Sequence, residues 1–224
     1  MSLPPPLPSL KPLQVVYEDE WLLVVDKPAP LPTLPSFRQE GETLKNRVYT
    51  HLNCPDPFVY RPVNRLDKGT SGLMCIAKDG HTHQLLQRLL HTPKYVRVYL
   101  ALCQGTFPQA VGVIDAPIAR GEGIKRRVDP LGQRAVTGYE VLQSNEEISL
   151  VKLQLFTGRT HQIRVHVSSL GCPVVGDYLY GQPHPLLPGR FALHACQLAL
   201  PHPVSGDMLR FESPLPETLA RLLG

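Results

Sequence analysis

The sequence predicts an α+β domain built on a mixed, largely antiparallel sheet. Strand-like segments occur in adjacent pairs as well as beside helical ones, which argues against a doubly wound fold. No strand is followed by a glycine-rich phosphate loop of the GxGxxG or GxxxxGK[ST] type. The 224 residues are 42% hydrophobic, enough for a sizeable core in one large domain or two small ones. No internal repeat or interdomain linker breaks the pattern.

The elements follow in chain order. Residues 1–12 form a proline-rich arm, either extended and flexible or packed on the body. "LQVVYED" (13–19) and "WLLVVDK" (21–27) are short Val-rich strands with aromatic ends. "ETLKNRVYTHL" (42–52) has helical spacing at Leu44, Val48 and Leu52. "CPDP" (54–57) is a turn. "GLMCIAK" (72–78) is an apolar run of strand length. "DGHTHQLLQRLLHT" (79–92) is a helix with Asp79 as its cap and a leucine stripe from Leu85 to Leu90. "KYVRVYLALCQG" (94–105) alternates like a strand. "AVTGYEVLQS" (135–144) and "EISLVKLQLFTG" (147–158) are two strands joined by a short turn. "RTHQIRVHVSSLG" (159–171) is a helix with Thr160 as an early cap and Gly171 as its stop. A strand at 191–203 and a closing helix at 215–224 complete the domain, which is expected to span 13–224.

Charge is 23 basic against 19 acidic residues, a net +4 that permits a nucleic-acid partner without demanding one. The five cysteines, at 54, 75, 103, 172 and 196, are scattered and form no CxxC, so they read as free, mostly buried thiols in a reducing compartment. No apolar run approaches the length of a membrane span, and the N-terminus resembles neither a signal nor a transit peptide. A cytoplasmic protein is expected.

Ionisable groups gather in three segments. In "NRLDKGTSG" (64–72), Asp67 sits in a loop ahead of a strand, where catalytic groups often lie. A turn aspartate bonding its own backbone is the commoner fate of Asp beside glycine. In "GRTHQIRVH" (158–166), Arg159 and Arg164 are five apart and fall on different faces of a helix, as do His161 and His166. That spacing is not a metal-ligand spacing. An inward Arg beside Ile163 and Val165 would need a buried carboxylate. In 119–140, Arg120, Lys125, Arg126, Arg127 and Arg134 are interleaved with glycines, which reads as a flexible basic loop, either solvated or gripping phosphates.

Together these segments resemble the RluA family of pseudouridine synthases. "NRLDKGTSGL" is similar to the family's H-R-L-D-x-x-T-S-G, and "GRTHQIRVH" to its G-R-[ST]-H-Q-[IL]-R-x-H. "RVYLAL" (97–102), "GQRAVTGYEV" (132–141) and "LHACQLALPHP" (193–203) resemble three further blocks in family order. The resemblance implies the pseudouridine synthase fold, with a central cleft in a long mixed sheet. It implies isomerisation of uridine in RNA, in tRNA, large-subunit rRNA or both, with no cofactor and no metal. It implies Asp67 as catalytic carboxylate, Arg164 as its partner, Tyr99 as the ring that stacks on the target base, and Arg65 as the residue that displaces it. Asn64 stands where the family has His and Arg97 where it has Lys, so target choice is more open to change than activity. Arg159, His161, Asn64 and the basic segment are expected to contact RNA. The short arm leaves no room for the S4-type domain of some relatives, and a monomer is expected.

The chemistry suits one carboxylate. Breaking N1–C1′ and rejoining through C5 is redox-neutral and consumes no water, whereas a glycosidase would normally use two acids. Asp67 could attack C1′ or take a proton from C2′. Arg164 would favour its charged form. Two rivals stand beside this reading: a non-catalytic RNA-binding or chaperone protein on the same fold, and a metal-dependent nuclease, for which no acidic cluster is present.

Overall fold

The Val-rich run at the start of the chain becomes two strands, β1 (Val15–Glu18) and β2 (Leu22–Lys27), paired antiparallel. Alternate β2 residues serve different cores. Leu23 and Val25 join the main cluster, while Leu22 and Val24 join a second one on the opposite face. A strand covered on both sides reads as a continuous apolar run, which is why "LLVV" lacks alternation. The computed structural model describes residues 11–35, 41–53 and 59–223, so most of the proline-rich arm and the "CPDP" turn lie outside the described residues.

Helix α1 (Leu44–Leu52) starts on a capping box between Thr43 and Asn46. Strand β3 (Ser71–Ala77) is wholly buried. It leads into α2 (Gly80–Leu89), where Asp79 accepts from Thr82 N–H at 2.9 Å as the expected cap. Then come β4 (Val96–Gln104), β5 (Val111–Asp115), β6 (Ile118–Arg120), β7 (Arg126–Val128), β8 (Val136–Ser144) and β9 (Ile148–Leu155). Helix α3 (Gln162–Ser169), β10 (Leu193–Pro201), β11 (Met208–Glu212) and a short α4 (Glu217–Ala220) close the chain. The expected closing helix is thus one turn of α4 followed by a 3₁₀ turn at Arg221–Leu223.

Nine strands form one sheet in the order β1-β2-β3-β10-β4-β9-β8-β5, with β11 added to the outer part of β10. Every pairing is antiparallel except β3 with β10, which holds through only two residue pairs, Ser71–His194 and Gly72–Ala195. This parallel contact joins the two halves of the sheet. Gly72 makes it possible. Its φ is +111°, and a Cβ there would lie 2.3 Å from the Ala195 carbonyl oxygen. Beside it, Ser71 Oγ bonds His194 Nδ1 at 3.0 Å, and His194 Nε2 bonds the Ser213 carbonyl at 3.2 Å. The carbonyl can only accept, so Nε2 carries the proton and the Ser71 hydroxyl donates to Nδ1.

Two strands and a hairpin were not legible in advance. In β5 ("VGVID") Gly112 looks like a turn residue, yet it lies under the Tyr139 ring, where a Cβ would come within 2.6 Å. The five residues of β11 are too short to stand out. The segment expected to be a flexible basic loop instead contains the β6–β7 hairpin, with Ile118, Ala119 and Arg120 paired to Val128, Arg127 and Arg126. Ladder hydrogen bonds, absent from any composition count, give it order.

Gly72→Ala should destabilise the fold sharply. The backbone conformation alone would cost about 1–3 kcal/mol, and the approach to Ala195 adds to it. Urea denaturation measures the loss; a change below about 1 kcal/mol would contradict this role for the β3–β10 junction.

Candidate active site

The junction fixes where the polar segments meet. Residues 64–70 lead directly into β3, and α3 packs beside them. Arg164 on α3 is 2% exposed, as expected for an Arg between Ile163 and Val165. Its guanidinium binds two carboxylates. Nε and one terminal nitrogen donate to Asp177 Oδ2 and Oδ1 at 2.7 and 2.8 Å, and the other donates to Asp67 Oδ2 at 2.8 Å. Asp177 is 0% exposed. The Asp67 side chain keeps 29% of its surface open. The guanidinium also lies 4.1 Å from the Phe191 ring centroid and 5.1 Å from that of Tyr180. Burial works against its charge, but the bonds to Asp177 and the fields of both carboxylates outweigh that, so its pKa is raised.

Asp177 is the residue that the sequence did not disclose. A buried carboxylate was required, but "GDYLY" reads as a plain turn. Its Oδ1 does accept from Leu179 and Tyr180 N–H, as a turn aspartate would. The same side chain also holds Arg164.

The loop carrying Asp67 is clamped from below. Thr33 Oγ1 donates to the Leu66 carbonyl at 2.7 Å, and Leu31 N–H donates to the Lys68 carbonyl at 3.0 Å. Lys27, fully buried, donates to the Pro28 and Leu31 carbonyls, and burial brings its pKa down to about 7. Gly69 admits the Phe191 ring, which a Cβ would meet at 2.6 Å.

Asp67 opens on a cleft of about 510 Å³ whose wall includes Arg65, Tyr99, Arg159 and His161. A smaller recess at its base adds Arg164 and Leu193. Tyr99 is 5% exposed, and burial, reinforced by Asp67, pushes its hydroxyl up to about 12. Arg65 is exposed. Asp67, Arg164, Tyr99, Arg65, Arg159 and His161 therefore share one site.

Two expectations need correction. Arg159 and Arg164 do reach the same cleft, because Arg159 precedes the helix, which begins only at Gln162. Thr160 is not the cap: the cap position is His161, in a left-handed conformation (φ 59°) with no side-chain capping bond. The helix start is pinned by Gln162 instead, whose amide oxygen accepts from Arg159 N–H and Thr157 Oγ1 and whose nitrogen donates to the Val136 carbonyl and Thr137 Oγ1. Asn64 lines the cleft and is 6% exposed; its amide oxygen accepts from Cys75 N–H at 3.0 Å and from Tyr95 OH at 3.3 Å, which holds the loop to the sheet. Within the basic segment, Arg127 is ion-paired to Asp129 at 2.8 Å. Lys125, Arg120 and Arg134 are exposed. His166 lies apart in the core, bonded to Thr137 and the Ala116 carbonyl.

Among the described residues no group of three His, Cys, Asp or Glu is placed to hold a metal ion, and no helix is long and apolar enough to cross a membrane. Cys75, Cys103, Cys172 and Cys196 are buried free thiols.

A mixed, mostly antiparallel sheet with an arginine-held carboxylate opening on its cleft is shared with the pseudouridine synthases that the chain is similar to. Residues 21–169 match the family model for RNA pseudouridylate synthases. The chain is 39% identical over 215 residues to the uncharacterized RNA pseudouridine synthase YjbO of Bacillus subtilis, covering 95% of this chain and 76% of that protein. It is 40% identical over 231 residues to ribosomal large subunit pseudouridine synthase D of Pseudomonas aeruginosa, covering 94% and 71%. The structure of human RNA pseudouridylate synthase domain containing 4 superposes with a TM-score of 0.75 at 28% identity, covering 94% of this chain and 91% of that one. The chain belongs to the RNA pseudouridylate synthase family, and its activity is the isomerisation of uridine in RNA. The non-catalytic reading is not favoured.

The two carboxylates on Arg164 should differ in what they support. Asp177→Ala strips a buried cation of its bidentate partner and should cost about 3–5 kcal/mol. Asp67→Ala leaves that pair intact and should cost about 1 kcal/mol or less. Chemical denaturation of both variants checks the ordering; equal losses would contradict it.

Proposed function

We propose that Asp67 is the carboxylate that acts on the target uridine, with Tyr99 against the base and Arg65 filling the place it leaves. The observation that carries the reading is the one-sided ion pair. Arg164 takes Asp67 Oδ2, and His161 Nε2 lies 4.0 Å from the same oxygen. Oδ1 has no partner among the described residues, so one oxygen is held and the other is left for the sugar–base bond. A single free carboxylate oxygen fits an isomerisation that neither consumes water nor changes oxidation state.

A stacked base cannot reach this cleft, so the target must be flipped at a cost of a few kcal/mol. Stacking on Tyr99 would return about 1–3 kcal/mol. RNA loops suit such a site because their bases are already partly unstacked. The backbone has a path beside it. Arg159 lines both the cleft and a neighbouring depression of about 360 Å³ that includes Arg120, Arg126 and the exposed Leu131. Phosphates tracking from one to the other would set the register of the RNA. Large-subunit rRNA is the target named for several relatives, and a uridine there is the substrate proposed.

Asp67→Asn should abolish pseudouridine formation while the melting curve stays near wild type. Carbodiimide primer extension on large-subunit rRNA, with and without the gene, should show one or more sites lost in its absence. Turnover by the Asn variant would overturn the assignment of Asp67, and an unchanged rRNA map would overturn the proposed substrate.

A further inference from the structure

His161 is held in an unusual way. It occupies a left-handed conformation, φ 59° and ψ 18°, which residues other than glycine seldom adopt. Such conformations persist where the surroundings over-determine them, often at functional sites. Its ring meets Tyr180 edge-on, with centroids 5.7 Å apart, and its Nδ1 lies 2.8 Å from the Tyr180 hydroxyl. Its Nε2 faces Asp67 Oδ2.

The Tyr180 hydroxyl has a second partner. It accepts from the Arg126 backbone N–H at 2.8 Å, on β7 of the basic hairpin. A backbone N–H can only donate, so the hydroxyl proton must go elsewhere. Among the described residues the one acceptor at hydrogen-bond distance is His161 Nδ1. Nδ1 therefore accepts, and in the neutral ring the proton sits on Nε2, toward Asp67. Which nitrogen of an imidazole is protonated follows from the bond the other one makes.

Tyr180 is itself fixed. Its own N–H and that of Leu179 donate to Asp177 Oδ1, the carboxylate that also grips Arg164. One buried aspartate thus places both groups that approach Asp67 Oδ2. The charged groups around His161 are Asp67 from the loop before β3, Arg164 from α3, Arg126 from β7 and Asp177; burial, with the two arginines, keeps the ring toward its neutral form against the pull of the two carboxylates.

We infer that Tyr180 is a positioning residue of the reaction: its hydroxyl sets His161 as the Nε2–H form facing Asp67 and ties that orientation to the backbone of the β6–β7 hairpin. This rests on the reading of Asp67 as the acting carboxylate. The hairpin is the basic surface proposed to meet phosphates. Its seating on RNA is then linked through Arg126 N–H, Tyr180 OH and the imidazole to the oxygen of Asp67 that does not react.

Tyr180→Phe removes the hydroxyl and keeps the ring over Arg164. Two measurements test it. In ¹⁵N-histidine-labelled enzyme without RNA, His161 should show a bare Nδ1 and a protonated Nε2 in the wild type. The phenylalanine variant should lose that preference. With in-vitro-transcribed large-subunit rRNA tritiated at uridine C5, single-turnover tritium release should slow roughly 10–100-fold, the range seen when a group fixing a metal-site histidine is removed. RNA affinity should stay within about twofold, since no phosphate contact is lost. His161→Ala/Tyr180→Phe should be no slower than His161→Ala alone, because the hydroxyl acts only through the ring. A protonated Nδ1 in the wild type, additive losses, or wild-type chemistry in Tyr180→Phe would overturn the inference. Asp67→Asn run in parallel separates the two readings: turnover by that variant sinks the role of Asp67, whereas an inactive Asn variant beside a fully active Tyr180→Phe sinks the role of Tyr180 alone.

Discussion

Arg164 is the point on which the rest of the site turns. A guanidinium that is 2% exposed cannot stand without compensation, and two carboxylates supply it. They do different work. Asp177, wholly buried and bidentate, neutralises the cation and fixes its plane. Asp67 takes the remaining donor with one oxygen and stays partly open to the cleft. Arginine suits this better than lysine, because its planar fork can satisfy one carboxylate along an edge and reach a second at its tip. The Phe191 ring, with its centroid 4.1 Å from the guanidinium carbon, adds a cation–π contact.

The sheet delivers these groups from remote parts of the chain. Asp67 and Arg164 are 97 residues apart. The Asp67 loop runs straight into Ser71 and Gly72, where β3 pairs with β10, while Arg164 comes from α3. Phe191 lies just before β10. Leu31 and Thr33 bond the same loop, and Lys27 in turn donates to the Leu31 carbonyl. Asn64 continues this logic. Its amide oxygen accepts from Cys75 N–H on β3 and so ties the loop to the sheet, while the residue also lines the cleft.

How much of this was legible depends on whether the cause is local. Asp79 capping α2, Gly171 stopping α3 and the buried β3 run are local effects, and they were readable from neighbouring residues. The demand for a carboxylate beside Arg164 was readable too, from Ile163 and Val165. Its source was not, since Asp177 sits in a short turn like many surface aspartates. The β6–β7 hairpin and β5 were missed because their order comes from strand pairing and from a Tyr ring over Gly112, neither of which leaves a periodic trace. The placement of Arg159 failed for a simpler reason: the helix starts three residues later than its polar flank suggests, so helical spacing did not apply to it.

Arg164 holds Asp67, the carboxylate proposed to react, by a directed bond and not by positive charge alone. The single-turnover rate of pseudouridine formation in Arg164→Lys, measured with saturating enzyme, tests it most directly. Lysine keeps the charge but cannot bind Asp177 along an edge and Asp67 at a tip together. The chemical step should slow by about 100-fold or more, as expected when a reacting group is misplaced by about 1 Å, with RNA binding retained. A folded lysine variant that reacts at the wild-type rate would contradict it.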